Sequence, residues 1–371
     1  MLLQGLKPDA VAFLPVLEAC AALERLKDGL LLHGYILEAG LVVDSALGNS
    51  IINLYGKCGS FSEAQEVFDR MPHKNLIVGN ATVNMYGKCG SLEDAYAVFD
   101  RMPARDVITW NAIISAYAHQ AHHREPLVLF ERMEAEDVTP NKVTFVTVLY
   151  ACAKLKALEE GRAIHARVSE AGLASEVIVG TALVNLYAKC GWLDEAREIF
   201  DSMRREDVIS SRDMVLWTSM MVAYARNAQG WKALEIFWLL QQEGLIPDDV
   251  VFVALLSACS SVGAIDEALE FFACMTLDYG LEAGKHHLGC VIDLLGRTGR
   301  LAEAEETMKA AKKFSDKEDD PVMWMSILGG CSIHQEVERG CRAMKKIFGQ
   351  EDQAAALVML SNMHRVSTTY H

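Results

Sequence analysis

The 371-residue sequence holds few prolines, eight in all, and no proline- or glycine-rich stretch that would read as an extended linker. With 51% apolar residues, the chain is expected to fold throughout. No apolar run approaches the ~18 residues of a membrane span, so no membrane partner is expected. The start, MLLQGLKPDA, lacks the Arg- and Ser-rich character of an organelle transit peptide, and no targeting peptide is visible. Positive charge is not in excess: 35 Lys and Arg face 50 Asp and Glu, a formal net charge of −15. Indiscriminate nucleic-acid binding relies on bulk positive charge and is therefore disfavoured, which leaves room only for a local basic track. There is no C-x-x-C pair, so the ten cysteines read as small buried thiols in a reducing compartment rather than as a metal site or disulfide framework. H-E-x-x-H, a phosphate loop and G-x-S-x-G are also missing, so no catalytic residue, cofactor or metal site is expected.

What the chain has is repetition. YGKCGS occupies residues 55–60 and returns letter for letter at 86–91, 31 positions later, with YAKCGW at 187–192. EVFDRMP (66–72) is likewise echoed by AVFDRMP (97–103), and REIFDSM (197–203) trails the third copy. A second phrase recurs as AFLPVLEACAAL from residue 12, TFVTVLYACAKL from 144 and VFVALLSACSSV from 251, and its cysteines are 132 and 107 residues apart. No single period gives both separations. Units of 31 and 35 residues do, if one short unit carries the six extra residues VISSRD (208–213). The units then begin at Ala10, Ser45, Leu76, Val107, Lys142, Val177, Met214, Asp249 and Lys285. Residues 1–9 read as a partial repeat, 10–320 as nine repeats, 321–363 as a different closing segment and 364–371 as a tail.

Each unit reads as two helices. In the unit at 76, NATVNMYGKC spaces its apolar residues helically, and Gly90 suits a left-handed stop. SLED then offers an N-cap with an acidic residue three positions on, and DAYAVFDRMP forms a second helix halted at Pro103. Pro126 stands where other units mostly place alanine, harmless in a first turn but costing about 3 kcal/mol further inside. A lone hairpin of this kind cannot bury its apolar face, so the hairpins are expected to stack into an all-α solenoid with one continuous core.

These phrases carry a resemblance. VITWNAIISAYAHQ...LVLFERMEAEDVTPN (107–141) resembles the 35-residue pentatricopeptide repeat, LIVGNATVNMYGKCGSLEDAYAVFDRMPARD its short variant and VTFVTVLYACAKLKALEEGRAIHARVSEAGL its long variant. Mixed lengths of this kind are typical of the PLS class of land-plant organellar RNA-binding proteins. The likeness covers residues 5–363, and PVMWMSILGGCSIHQEVERG...ALVMLSNMH (321–363) resembles the E extension of RNA-editing factors. The resemblance implies a right-handed superhelical solenoid of helix-turn-helix repeats and a mitochondrial or chloroplast location. The tetratricopeptide repeat, a similar hairpin with a W-x2-L-G-x2-Y pattern, lacks its signature here.

In the family, the fifth and last residues of a unit read one base. The matching pairs are Asn49 with Asn75, Asn80 with Asp106, Asn111 with Asn141, Thr181 with Asp213, and Thr218 with Asp248. Asn both donates and accepts, ionised Asp only accepts, and Thr does either through one hydroxyl, so such pairs can discriminate base edges. Residues of these types near a helix start are also natural caps, and both roles stay open. By resemblance Asn with Asp favours U, Thr with Asp favours G and Asn with Asn a pyrimidine, giving pyrimidine, U, pyrimidine, any, G, G from 5′ to 3′. The long units place Leu14, Val146 and Val253 at the fifth position, where no hydrogen bond to a base is possible, and so read as spacers or protein contacts. The second residues are mostly apolar; in the family these wedge between bases, which points to Ile77, Ile108, Ile178 and Val215, with core packing as the alternative.

The lysine of YGKCG is the thirteenth residue of its unit, a position that holds a cation in six units, as Lys57, Lys88, Lys154, Lys189, Arg226 and Arg297. A cation in the last turn of a helix complements the dipole by ~0.3–1 kcal/mol. A once-per-repeat ladder would also follow the phosphates of a single strand, and six contacts imply a log–log salt slope of about −4, at ~0.7 per phosphate.

Many relatives end in a zinc-dependent cytidine deaminase domain, which needs H-x-E and a later P-C-x-x-C. HQE at 334–336 matches only the first and is read as coincidence; His33 and His165 are equivalent positions in two long units. The reading that follows is a sequence-specific single-stranded RNA-binding solenoid, a non-enzymatic guide for organellar C-to-U editing, with a deaminase and editing accessory proteins supplied in trans. Transcript stabilisation, splicing or translation is the alternative, and a protein–protein scaffold a third.

Overall fold

The computed structural model describes residues 9–41, 45–71, 75–205, 214–311 and 321–348. Asp213, the tail at 364–371, residues 1–8 and the part of the closing segment beyond 348 lie outside them. The described residues form helices and no strand, and the chain divides into two units, residues 1–174 and 175–371.

The first unit holds five hairpins: α1 (Ala10–Ala22) and α2 (Leu26–Glu38), α3 (Ser45–Lys57) and α4 (Phe61–Arg70), α5 (Leu76–Cys89) and α6 (Leu92–Arg101), α7 (Val107–His119) and α8 (Glu125–Ala135), α9 (Lys142–Leu155) and α10 (Leu158–Glu170). The second holds five more: α11 (Val177–Cys190) and α12 (Leu193–Arg205), α13 (Met214–Arg226) and α14 (Gly230–Gln242), α15 (Asp249–Val262) and α16 (Ile265–Leu277), α17 (Lys285–Arg297) and α18 (Leu301–Ala311), α19 (Pro321–His334) and α20 (Val337–Phe348).

In the hairpin α5–α6, Asn75 sits in extended backbone with ψ 175° and its side chain accepts from the Val78 N–H, while Gly90 at φ 83° closes the helix in the left-handed region that glycine enters without a Cβ penalty. α6 starts differently from the sequence expectation. Ser91 has ψ 75°, which turns its hydroxyl away from the first-turn amides, and it donates to the Asp94 carboxylate at 2.5 Å instead of closing a capping box. Pro126 falls in the first turn of α8, where its missing N–H breaks no helical hydrogen bond.

Within each unit, a first helix packs against the first helices before and after it as well as against its own partner; α5 touches α3, α7 and α6. Val78, Val83, Met85, Tyr86 and Gly87 of α5 are therefore all buried, whereas α6 buries a single side through Ala95, Val98 and Phe99. The hairpins are stitched by aromatic pairs between a second helix and the next first helix. Phe99 meets Trp110 edge-on at 4.8 Å and Phe200 meets Trp217 at the same distance, with both tryptophans buried. α17 and α19 approach through glycine: a Cβ on Gly330 would stand 2.7 Å from the Gly296 Cα. All ten cysteines are free thiols; Cys20, Cys152 and Cys259 are buried, and burial pushes the Cys259 thiol up to about 12.

Candidate nucleic-acid interface

Burial on three sides leaves each first helix one open stripe. On α5 it runs through Ile77, Asn84 and Lys88, spaced i, i+7 and i+11, so one face carries an apolar side chain, an amide and a cation. Ile77 and Lys88 are about 16 Å apart along the axis at 1.5 Å per residue. α3 repeats the pattern with Asn53 and Lys57, and α11 with Ile178 and Asn185. Ile77, Ile108, Ile178 and Val215 are 61%, 59%, 56% and 66% exposed, so packing in the core is not their role.

In the first unit two fifth residues meet the last residue of their repeat. The last residue of a unit is the N-cap of the next first helix: Asn75, Asp106, Asn141 and Asp248 all have ψ near 180° and accept from first-turn amides. The capping role considered from the sequence is thus real for these four, while the fifth residues lie inside the helix and cap nothing. Asn80 Nδ2 donates to Asp106 Oδ1 at 3.4 Å, and Asn111 Nδ2 donates to Asn141 Oδ1 at 3.2 Å, bringing together residues 26 and 30 positions apart. The Asn49 side chain makes no hydrogen bond among the described residues. In the second unit, Thr181 and Thr218 donate their hydroxyls to Val177 O and Met214 O, both at 2.8 Å, so toward a ligand each offers lone pairs.

The electrostatics of the Asn80–Asp106 pair are distinctive. Burial opposes the Asp106 charge, but hydrogen bonds from the Thr109 N–H and hydroxyl and from Asn80 outweigh it and hold the carboxyl below its ordinary range. Asn80 is buried, yet its Oδ1 has no partner among the described residues, an acceptor left for something else to satisfy.

The cations lie in the last turns of their helices. Lys57 and Lys88 line one groove of about 360 Å³ between α3 and α5, together with Asn49, Asn53 and Asn84. Arg226 and Arg297 share a cavity of about 600 Å³ with Lys285 and His286. There Asp293 intervenes, taking Arg297 Nε at 2.8 Å and the Ser260 hydroxyl at 2.6 Å, so Arg297 is partly neutralised. Lys154 Nζ lies 5.3 Å from the centre of the Tyr150 ring, and Lys189 is half-buried. Leu14, Val146 and Val253 are half-buried. His334, suspected of nothing chemical, donates Nε2–H to the Arg297 carbonyl at 2.8 Å; among the described residues no cluster of three His, Cys, Asp or Glu could hold a metal.

Two features escaped the sequence reading. The ninth-position asparagines Asn53, Asn84 and Asn185 are exposed on the stripe, and their signal was present two letters upstream of the repeated tyrosine. Thr109 and Thr144, fully buried third residues, bond to Asp106 and Asn111 of these pairs, and nothing in their spacing separates them from ordinary helix residues.

Comparison with known proteins agrees with this architecture. The profile of the PPR repeat family matches residues 105–154, and the PPR repeat itself matches 49–76, 80–107, 181–208, 215–245 and 250–278. The pentatricopeptide repeat-containing protein ELI1, chloroplastic, of Arabidopsis thaliana is 40% identical over 367 residues, covering 98% of this chain and 56% of its own length. A putative mitochondrial pentatricopeptide repeat-containing protein of the same plant is 31% identical over 361 residues, covering 97% and 51%. The chain thus spans about half the length of these relatives. In fold it is similar to the pentatricopeptide repeat protein PPR10 in complex with an 18-nt psaJ RNA element, with a TM-score of 0.82 at 19% identity over 98% of this chain and 54% of that one.

Proposed function

We propose that this chain, which belongs to the pentatricopeptide repeat family, binds single-stranded RNA in a sequence-specific manner, each reading pair meeting one nucleotide. The observation that carries this reading is the joining of a fifth residue to the following helix cap in Asn80–Asp106 and Asn111–Asn141, which leaves hydrogen-bonding groups beside an exposed stripe. Uracil presents an N3–H donor between two carbonyl acceptors, and the Asn80–Asp106 pair offers acceptors in the orphan Oδ1 and the carboxylate with a donor in the second Asn80 N–H. Thr218 and Asp248 offer only acceptors, which suits the N1–H and N2–H₂ donors of guanine. Ile77, Ile108, Ile178 and Val215 would wedge between successive bases, and Lys57, Lys88, Lys154, Lys189, Arg226 and Arg297 would track the phosphates. The RNA held by PPR10 supports the same class of ligand.

The finer reading is a PLS-class recognition factor for organellar C-to-U editing, with a deaminase and accessory proteins in trans. Support comes from the mixed unit lengths and from the closing hairpin α19–α20, which falls in the segment resembling an E extension. A mitochondrial or chloroplast location is favoured by the names of the relatives. Selection of bound sequences from a random RNA pool tests the binding: enrichment of a motif compatible with the pairs is expected, and absence of affinity at low salt would refute it. Asn80→Thr beside Asp106 is expected to move preference at one nucleotide from U toward G while neighbours stay unchanged. Sequencing organelle transcripts after gene loss tests the editing role, which fails if no C-to-U site is lost.

A further inference from the structure

We propose that Thr144, a residue with no exposed surface of its own, determines which pyrimidine the Asn111–Asn141 pair accepts and biases it toward cytosine; this rests on the base-reading function proposed above. The backbone fixes the chain of donors and acceptors. Asn141 Oδ1 accepts from the Val143 N–H at 3.0 Å and the Thr144 N–H at 3.2 Å, so the side-chain atom facing those amides is oxygen. The Asn111 atom that meets this oxygen at 3.2 Å must then be the nitrogen, and the Asn111 oxygen is forced to the opposite side. There the Thr144 hydroxyl donates to it at 2.6 Å. Asn141 Oδ1 is saturated by three donors and Asn111 Oδ1 has one of its two lone pairs taken, so the edge left to the pair is weighted toward donors, the second N–H of Asn111 and the NH₂ of Asn141. Such a donor-bearing edge suits cytosine, whose N3 and O2 accept, and opposes the N3–H of uracil.

Two other pairs in the same unit bracket this arrangement, one differing in the third residue of the following helix and the other in the cap. Asn49 and Asn75 are the same residue types, but the helix that follows has Val78 in place of a threonine, and the Asn49 side chain has no hydrogen bond among the described residues. Its amide is free to turn either end toward a base. In the Asn80–Asp106 pair the equivalent Thr109 hydroxyl goes to Asp106 Oδ1 at 2.8 Å and leaves Asn80 Oδ1 without a partner, the acceptor that uracil needs. Valine is tolerated at this point of the fold, since Val78, Val179 and Val251 are all buried there.

The test measures affinity of the full chain, at fixed salt, for synthetic RNAs that differ only in C or U at the first or third position of the expected hexamer. The expected preference for C at the third position is about fivefold to tenfold, the scale of one net neutral hydrogen bond, with little preference at the first. Thr144→Val is expected to reduce the third-position preference to that of the first, mainly by improving the U-containing RNA, and Thr144→Ser to restore it. Val78→Thr is expected to create a C preference at the first position. An unchanged C-to-U ratio in Thr144→Val, or an equal loss for both RNAs, overturns the inference. If the other positions still discriminate in that outcome, the base-reading function stands and only the role of Thr144 falls; a native chain that prefers no base anywhere removes both.

Discussion

The first and second helices of a hairpin are of similar length and drawn from the same alphabet, yet they work under different constraints. A first helix such as α5 is enclosed on three sides and keeps one stripe open to solvent, so nearly every residue belongs to the core or to that stripe. A second helix such as α4 buries one side and spends the rest on exposed ion pairs such as Arg70–Glu66 at 2.8 Å. This explains where the letter-for-letter repeats fall. YGKCGS closes a first helix and its turn, where a change would cost either packing or the stripe, and in the second helices the repeated VFDRMP centres on the buried Val67, Phe68 and Met71 and on their counterparts Val98 and Phe99.

The comparison can be broken most severely in the core. Trp110→Ala, on a first helix, is expected to cost about 3–5 kcal/mol in urea denaturation. Arg70→Ala, on a second, should stay within about 0.5 kcal/mol, as expected of an exposed pair. Next in size is Gly330→Ala, whose Cβ meets backbone rather than a yielding side chain; separating α17 from α19 should cost about 1–3 kcal/mol by the same measurement. Asp106→Ala should cost about 1 kcal/mol through the lost cap. Because the folded Asp106 carboxyl titrates below its unfolded value, its contribution is complete above the unfolded carboxylate range and is lost as pH falls through the folded value. A stability–pH curve for the Asp106→Asn chain should therefore fall less on acidification than the native curve. The smallest effect belongs to the stripe: replacing Lys57 and Lys88 together by Gln should reduce the log–log salt slope of RNA binding by about 1.4, at ~0.7 per phosphate, with no change in base preference.

Much of this was legible because the sequence repeats itself. The unit starts read from phrase spacing, from Ala10 and Ser45 to Asp249 and Lys285, are the residues at which the first helices begin. Four of the five last residues stand within the described chain, and their capping chemistry was foreseen from residue type. What stayed hidden depends on torsions and partners that spacing does not encode. Ser91 has the identity of a cap but the wrong ψ to act as one. Arg297 belongs to the cation series, yet Asp293, one turn before it, claims its guanidinium. Thr109 and Thr144 occupy equivalent positions and send their hydroxyls to different acceptors, a distinction that rests on whether the preceding cap is Asp or Asn.

Under the base-reading role proposed above, the double duty of Asp106, Asn141 and Asp248 limits how such a chain can drift toward new targets. A residue that both starts a helix and faces a nucleotide can be exchanged only for another that starts helices, so the dictionary at that position shrinks to a few short polar letters. The fifth residue, which starts nothing, is where new meanings are cheapest to write. Retargeting by design would do well to vary that site first and to treat the other as part of the foundations.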